Sequence, residues 1–552
     1  MFSAILRWRN FTAALVLARP SQFLLLGVCS LLVSRPALAQ LIPDATAGTQ
    51  IQPEAEVRGL PSDVVEGGII RNDILFHSFQ DFNIEAGRGV YFANPADISN
   101  ILSRVTGSNG SNIDGTLGVL GNANFFLINP NGIVFGPNAR LDVAGAFTAS
   151  TTDAFRFADG QEFSATDPQA PPLLRLNITP GLQLGLPDQG DIKNAGNLAV
   201  AAGQPLTLQG RNVRHTGSLT APGGWVGLFG QTVGLLDNAQ IDVSGFAGGG
   251  TVLIGGTVQG ANPDLNALRT YIGPDVRIQA DALRVGDGGV VVVWSEEATG
   301  FYGNISARGA VDSLTSPSNS GEQDLASGGF VEVSSQGHLI FRGAVDTATP
   351  AGQPGILLLD PTTITLANGT ADGTADGTDT FAGEASGLAG QVLSGPISAI
   401  DDLGPTTIYE SELEGLSGDT DVVLQATDGI TVEDLADNEL LFARGAGRIT
   451  FVADANGDGV GDVVMMDLQD NLATNGRDLA ISGVNLNLGI IDSSIHPLNI
   501  SPTGSGGSVD LSAAGDVSVD AVLTMGTFSD GGNAGTGGDI SLTAGGNIAT
   551  SE

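Results

Sequence analysis

The chain repeats itself near residue 506. GGSVDLSAAGDVSVDA, starting at Gly506, aligns without gaps on GGDISLTAGGNIATSE, starting at Gly537, a spacing of 31 residues. A looser GG-x-V-x-[LV] pattern starts at Gly223, Gly288 and Gly328. Self-similarity at about 20 to 50 residues marks supersecondary units that bury their apolar faces only by stacking on neighbours. Within each unit apolar and polar residues alternate, as in TVLIGG, GGVVVVWS and FVEVSS, and Gly, Asn, Asp or Ser closes the run. This is the period of a strand rather than of a helix, with turn residues at the corners. Paired hairpin turns flanked by matched strands, which sandwiches need, are not systematic. The pattern predicts an all-β, right-handed parallel β-helix (β-solenoid), with glycine turning the corners and Val, Ile and Leu stacking inward from coil to coil.

Composition narrows what such a solenoid can do. Sixty acidic residues stand against 22 basic ones, the net charge is -38, and Lys193 is the only lysine. A phosphate-binding surface needs clustered Arg and Lys, so the sequence predicts no nucleic-acid partner. Eighty glycines without a G-X-Y period exclude collagen, and 41% hydrophobic residues are too many for a disordered chain.

The first 39 residues differ in kind. Arg7, Arg9 and Arg19 precede the apolar run Phe23 to Val33, and ALA at Ala37 to Ala39 offers the small residues that a signal peptidase accepts. The run is too short to cross a bilayer, which takes about 20 residues. Residues 1–39 are therefore read as a secretory signal peptide, cut before Gln40 by signal peptidase after export by the general secretory machinery. Cys29, the single cysteine, leaves with it. The chain from Gln40 has no disulfide to form and, four arginines poorer, a net charge of about -42.

One stretch is more distinctive than the repeats. Ala93 to Thr152 reads ANPADISNILSRVTGSNGSNIDGTLGVLGNANFFLINPNGIVFGPNARLDVAGAFTASTT, with NPNGI at Asn129, Pro130, Asn131, Gly132 and Ile133. It resembles the amino-terminal secretion domain of filamentous haemagglutinin-like exoproteins, the cargo of two-partner secretion systems. The resemblance extends from about Ala47 to Phe163, with DILFHSFQDFNI at Asp73 to Ile84 resembling an early strand pair of that family. GILLLDPTTITL at Gly355 to Leu366 is similar to the segment that often closes the module. The resemblance implies a β-helix capped at its start and a cognate outer-membrane transporter that recognises this domain in the periplasm of a Gram-negative-type cell. It also implies passage through the pore unfolded, and a secreted or cell-surface product that acts as an adhesin toward an unidentified cell-surface or polysaccharide ligand. NPNGI is then either a tight corner kept for folding or a contact for the transporter. Its residues suit a corner: Asn129 and Asn131 can bond their own backbone, Pro130 fixes φ, and Gly132 permits a positive φ.

The organisation expected is a signal over 1–39, a filamentous haemagglutinin-type secretion core over 40–165, further β-helix over 166–361, a low-complexity linker or loop over 362–400, and acidic solenoid repeats over 401–552. The linker holds the tandem ADGTADGTDT, and a short helix is expected near Ser411 with Glu412 and Glu414 in its first turn. The second 31-residue unit stops at Glu552 in mid-repeat, as expected either of a split or truncated gene or of a repeat whose next rungs lie in another chain.

Candidate chemistry is sparse. Asp454, Asn456, Asp458 and Asp462 in DANGDGVGD hold positions 1, 3, 5 and 9 of an oxygen-rich loop with Gly459 at position 6. That spacing suits calcium, although Met465 stands where an EF-hand has its bidentate Glu. A solvated turn between two strands is the alternative. No cofactor is required. His77, His215, His338 and His496 share no metal-ligand spacing, and there is no G-x-S-x-G elbow. Parallel β-helices also act on polysaccharides through acids on adjacent rungs, for which Asp287, Glu296 and Glu297 are the candidates. The shortage of cations for acidic sugars argues against a lyase, and the sequence reads as a non-enzyme.

Overall fold

The computed structural model describes residues 41–172, 190–311, 325–368, 406–495, 504–527 and 535–550. The signal segment, the ADGTADGTDT tract and His496 lie outside the described residues.

A regular coil shows how the sequence makes the fold. Pro205–Gln209, Asn212–His215 and Ser218–Thr220 are three short strands separated by corners at Gly210 and Gly217, after which Trp225–Phe229 begins the next turn. Leu206 pairs in parallel with Val226, 20 residues on. A Cβ on Gly217 would strike the Gly196 carbonyl of the coil below, so this corner requires glycine. Among the described residues, repetition of the three strands, together with antiparallel strands at the start, makes a 17-stranded first sheet, an 11-stranded second and an 8-stranded third. From Ile364–Ala367 onward a fourth sheet, of nine strands among the described residues, takes over both the second and the third positions.

On the first sheet one inward column runs unbroken in register. Leu75, Ile101, Phe125 and Phe147 lead to Leu206, Val226 and Val252, and the column continues through Leu357, Val422 and Leu479 to Val509, with the exposed Ile540 in register after it. Each fully buried Leu or Val contributes about 1.5–3 kcal/mol relative to exposure, so the column is a main source of stability. The 31-residue repeat appears as register, Val509 on Ile540 and Val517 on Ile548. Coils lengthen to 39 and 40 residues between Val252, Val291 and Val331, where the corners carry excursions.

The start of the helix is closed by antiparallel strands. Leu41–Pro43 and Ile69–Arg71 cover the edge of Ile74–Phe82, and Thr49–Val57 folds on Leu60–Gly67 over the second sheet. Pro53, a bulge between Gln52 and Ala55, and Glu54 at φ 56° blunt the outer edge of Thr49–Val57 against further strand pairing. A hairpin, Ala154–Arg156 with Glu162–Ser164, lies on the outside of the first sheet. Phe155, Phe157 and Phe163 pack there on Ile74, Phe76, Leu102 and Ile128, which explains why ILFHSF is apolar on both faces. Arg104, 1% exposed, ties hairpin to cap. It donates to Ser78 Oγ at 2.9 Å, the Ser164 carbonyl at 2.6 Å and Thr46 Oγ1 at 2.8 Å, with Phe163 stacked 3.9 Å away. Burial lowers its pKa to about 10.

Gly355–Leu359 pairs directly with Thr420–Gln425, so the first sheet is continuous past residues 369–405. Of the stretch from 362, Ile364–Ala367 is a strand of the fourth sheet, whereas 369–400 lies outside the described residues. The short helix occupies Glu410–Glu414, one residue earlier than expected, and the Glu412 carboxylate accepts the Tyr409 N–H at 2.6 Å.

Candidate functional site

The NPNGI motif is the corner between the strands Asn124–Ile128 and Ile133–Phe135. Asn129 Oδ1 accepts the Asn131 N–H at 3.0 Å and the Asn129 carbonyl accepts the Gly132 N–H at 3.0 Å, an Asx-turn inside a β-turn. Gly132 has φ 110°, which a side chain rarely adopts. The motif also reaches across coils. Asn129 Nδ2 donates to the Asn109 carbonyl and Ser111 Oγ, both at 3.0 Å, and Asn131 Nδ2 donates to the Gly107 carbonyl at 2.8 Å. Ile133 pairs with Ser111 below and Ile192 above. Asn129, Pro130, Gly132 and Ile133 are buried, and Asn131 is exposed. Each side chain therefore has a structural task, and Asn131 is the residue of the five that a partner can touch without unfolding the corner.

The DANGDGVGD loop is a turn whose side chains bond its own backbone. Asp454 Oδ1 accepts the Gly459 N–H at 3.0 Å, Asn456 Oδ1 the Asp458 N–H at 3.3 Å, and Asp458 Oδ1 the Val460 N–H at 2.9 Å. Asp462 is used in the next coil, accepting the Asn485 N–H and Nδ2–H at 2.9 Å each. The carboxylates of Asp454, Asp458 and Asp462 do not gather within 4.8 Å. Among the described residues the acids that do are Asp434, Asp467 and Asp470, and two Asp470 oxygens already accept the Leu435 N–H and Asn438 Nδ2–H.

The acids proposed for polysaccharide chemistry also stay apart. Asp287 stands before the strand Val290–Val293 and accepts the Ser327 N–H at 2.7 Å, whereas Glu296 and Glu297 stand after it. Glu297 pairs with the buried Arg269 at 3.1 Å. Two of the histidines, His215 and His77, are structural, and His338 is half-buried on the strand His338–Phe341. His215 is fully buried, with Asn194 Nδ2 at 3.1 Å from Nδ1 and the Gln240 carbonyl at 3.1 Å from Nε2, and burial lowers its pKa to about 4. His77 is buried among Phe79 and Phe92, lowered to about 3.

Sequence reasoning passed over a groove of about 490 Å³ at the corner between the first and third sheets. Its lining includes Glu296, whose two companion acids are elsewhere, and Asp360 from GILLLDPTTITL. Asp360 is raised by burial, with Gln259 donating to it at 3.3 Å. The available signal was TVQGANPDLNA, a turn-rich insertion between two strands at a place where other coils turn in a few residues.

Residues 39–284 match the family model of the TPS secretion domain. A stretch of 81 residues, 15% of this chain, is 37% identical to the heme/hemopexin-binding protein of Haemophilus influenzae and spans 9% of that protein's length. The crystal structure of the HMW1 secretion domain from Haemophilus influenzae aligns with 91% of this chain and 100% of its own, at a TM-score of 0.40 and 15% identity. The parallel coils themselves establish the β-helix. The antiparallel cap, the outer hairpin and the NPNGI corner all fall inside the matched span, and residues 39–284 are a TPS secretion domain.

Proposed function

We propose that residues 39–284 are the address by which a cognate outer-membrane transporter takes up this chain from the periplasm, and that the coils beyond them act outside the cell in adhesion. The family match carries the reading. The fold supports it in two ways. Coils touch only their neighbours, so the chain can form from its first coils as it leaves a pore, without an energy source such as ATP. The first coils are also the richest in aromatic core: Phe92 and Phe125 lie 4.6 Å apart, Phe125 stacks on Phe147 at 6.3 Å, and Phe79 meets Phe82 at 5.1 Å. Aromatic pairs add about 0.5–1.5 kcal/mol each beyond area burial, which favours nucleation at the end that emerges first. Folding outside then opposes return.

The test is co-expression with a two-partner transporter. The full chain reaches the medium or cell surface, and a chain lacking residues 41–165 stays in the periplasm. Export of the deleted chain at full yield overturns the reading. Asn131→Ala, which spares the buried part of the corner, separates contact from folding: a folded variant retained in the periplasm assigns Asn131 to the transporter, and normal export assigns it to the corner alone. Adhesion is tested separately, by binding of the released chain to cells.

A further inference from the structure

The groove at the first corner lies outside the matched secretion span over most of its length. It crosses five successive coils, and each contributes at least one polar side chain: Glu296, Gln336, Asp360 with Thr362, Thr427 and Asn456. Backbone bonds hold the coils in step beneath it, from Gln336 N–H to the Ser295 carbonyl at 3.0 Å, Asp428 N–H to Thr362 at 2.8 Å and Ala455 N–H to Ala426 at 3.0 Å. The backbone that carries these polar groups therefore steps from coil to coil at the strand spacing of about 4.8 Å. That is close to the length of one sugar ring in an extended glycan.

One side of the groove is a built wall. Between Thr251–Ile254 and Arg269–Ile272 the chain leaves the coil through two 3-10 turns, Val258–Gly260 and Pro263–Leu265. Glu332 pins it. This carboxylate is wholly buried between Val292 and Leu358 in the first sheet, and each of its oxygens accepts the Gln259 N–H at 3.0 Å. Gln259 has φ 50°, a conformation that such a clamp stabilises. Gly260 lies against the Trp294 indole with no room for a Cβ.

Asn266 supplies an independent sign of a ligand. It lines the groove, is 6% exposed, and donates through Nδ2 to the Gly260 carbonyl at 3.1 Å, while its Oδ1 has no donor. A buried acceptor of this kind calls for an explanation, and a ligand hydroxyl would satisfy it. The rest of the lining sets the class of ligand. It offers carboxylates, amides and hydroxyls, with Pro263 and Pro361 as apolar surface and no Lys or Arg. Glu296 and Asp360 repel anions, whereas carboxylates and amides suit pairs of hydroxyls.

We propose that this groove binds an uncharged, hydroxyl-rich polysaccharide lying along the corner, about one sugar per coil. The proposal deepens the adhesion reading by naming a ligand, and it is tested on purified protein without passage through a transporter. Failure of binding and failure of export are thus separate results.

The test is calorimetry on the full chain from Gln40, with malto-, cello- and laminari-hexaose as uncharged probes and polygalacturonate as the anionic one. At least one uncharged hexasaccharide is expected to bind, and Gln336→Ala and Asn456→Ala, both at exposed positions, are expected to weaken it tenfold or more, with unchanged melting for Gln336→Ala and only a small loss for Asn456→Ala, whose turn loses one exposed bond to its backbone. Polygalacturonate is expected not to bind. Absence of heat with all three hexasaccharides, binding unaffected by either variant, or equal affinity for polygalacturonate overturns the proposal.

Discussion

Asn129 is buried with both ends of its amide engaged, so its removal leaves the Asn109 carbonyl, Ser111 Oγ and the Asn131 N–H short of a partner. Asn129→Ala is expected to cost about 2–4 kcal/mol, and the exposed Asn131→Ala about 1 kcal/mol or less. Urea denaturation of the chain from Gln40 measures both, and equal losses would contradict the corner described here. Two kinds of buried titratable group give opposite pH dependences. His77 and His215 are held by burial below the ordinary 6.5, at about 3 and about 4. The unfolded chain therefore binds protons that the folded one refuses, and stability falls as pH drops from 6.5 toward 4. At His215 the Asn194 amide faces Nδ1, which a proton would turn from acceptor into donor. Glu332 is pushed up to about 7, chiefly by burial and also by Asp360, against donation from Gln259 and Ser334. Here the folded chain keeps a proton that the unfolded one releases, so the contribution of Glu332 falls as pH rises from 4.5 through about 7. In Glu332→Gln the decline in urea midpoint between pH 5 and pH 8 is expected to shrink, and an unchanged slope would show that the residue does not titrate there.

At the scale of elements, the outer hairpin and the corners show what neighbours contribute. Phe163 meets Phe76 at 4.9 Å and carries the Arg104 guanidinium. Phe163→Ala is expected to cost about 3–5 kcal/mol and to raise hydrogen exchange across Ala154–Ser164, while the inward column from Ile101 to Val226 keeps its protection. Exchange rising equally in both would mean that the hairpin and the coils form one cooperative unit. The corners account for much of the acidity. Asp114 accepts the Asn138 N–H of the next coil at 2.9 Å, Asp281 that of Arg308 at 2.7 Å, Asp421 that of Arg448 at 2.6 Å, Asp478 that of Ser508 at 2.8 Å and Asp516 that of Asn547 at 2.7 Å. Asn485 does the same for Asp516 at 3.0 Å, so an amide can fill the role. Asp478→Asn is accordingly expected to be close to neutral and Asp478→Ala to cost about 1–2 kcal/mol by urea midpoint; equal effects would point to charge rather than to the hydrogen bond.

For the whole molecule, a solenoid reads its own sequence locally, and this decides how much the sequence discloses. A parallel coil stacks on the one before it, so strand period, corner residues and repeat spacing suffice for the fold, and the 31-residue spacing reappears as the Val509–Ile540 register. The NPNGI corner was legible for the same reason: its turn is made by Asn129, Pro130, Asn131 and Gly132 acting on each other. The short helix at Glu410–Glu414 was likewise legible, since acids in a first turn are a local signal. Features made by residues far apart were not legible. Glu332 clamps Gln259 across 73 residues, Arg104 joins Thr46 to Ser164, and Asp287 and Glu296 are separated by the strand between them. Even the calcium spacing of Asp454, Asn456, Asp458 and Asp462 says only that oxygens lie close in the chain; backbone partners decide where they point. The sequence by itself determined the β-helix and its secretion domain, because both are written in neighbour-to-neighbour patterns. Only the tertiary structure placed the groove, its wall and its unpaired Asn266 oxygen, because these exist where side chains from five coils and one excursion meet in space.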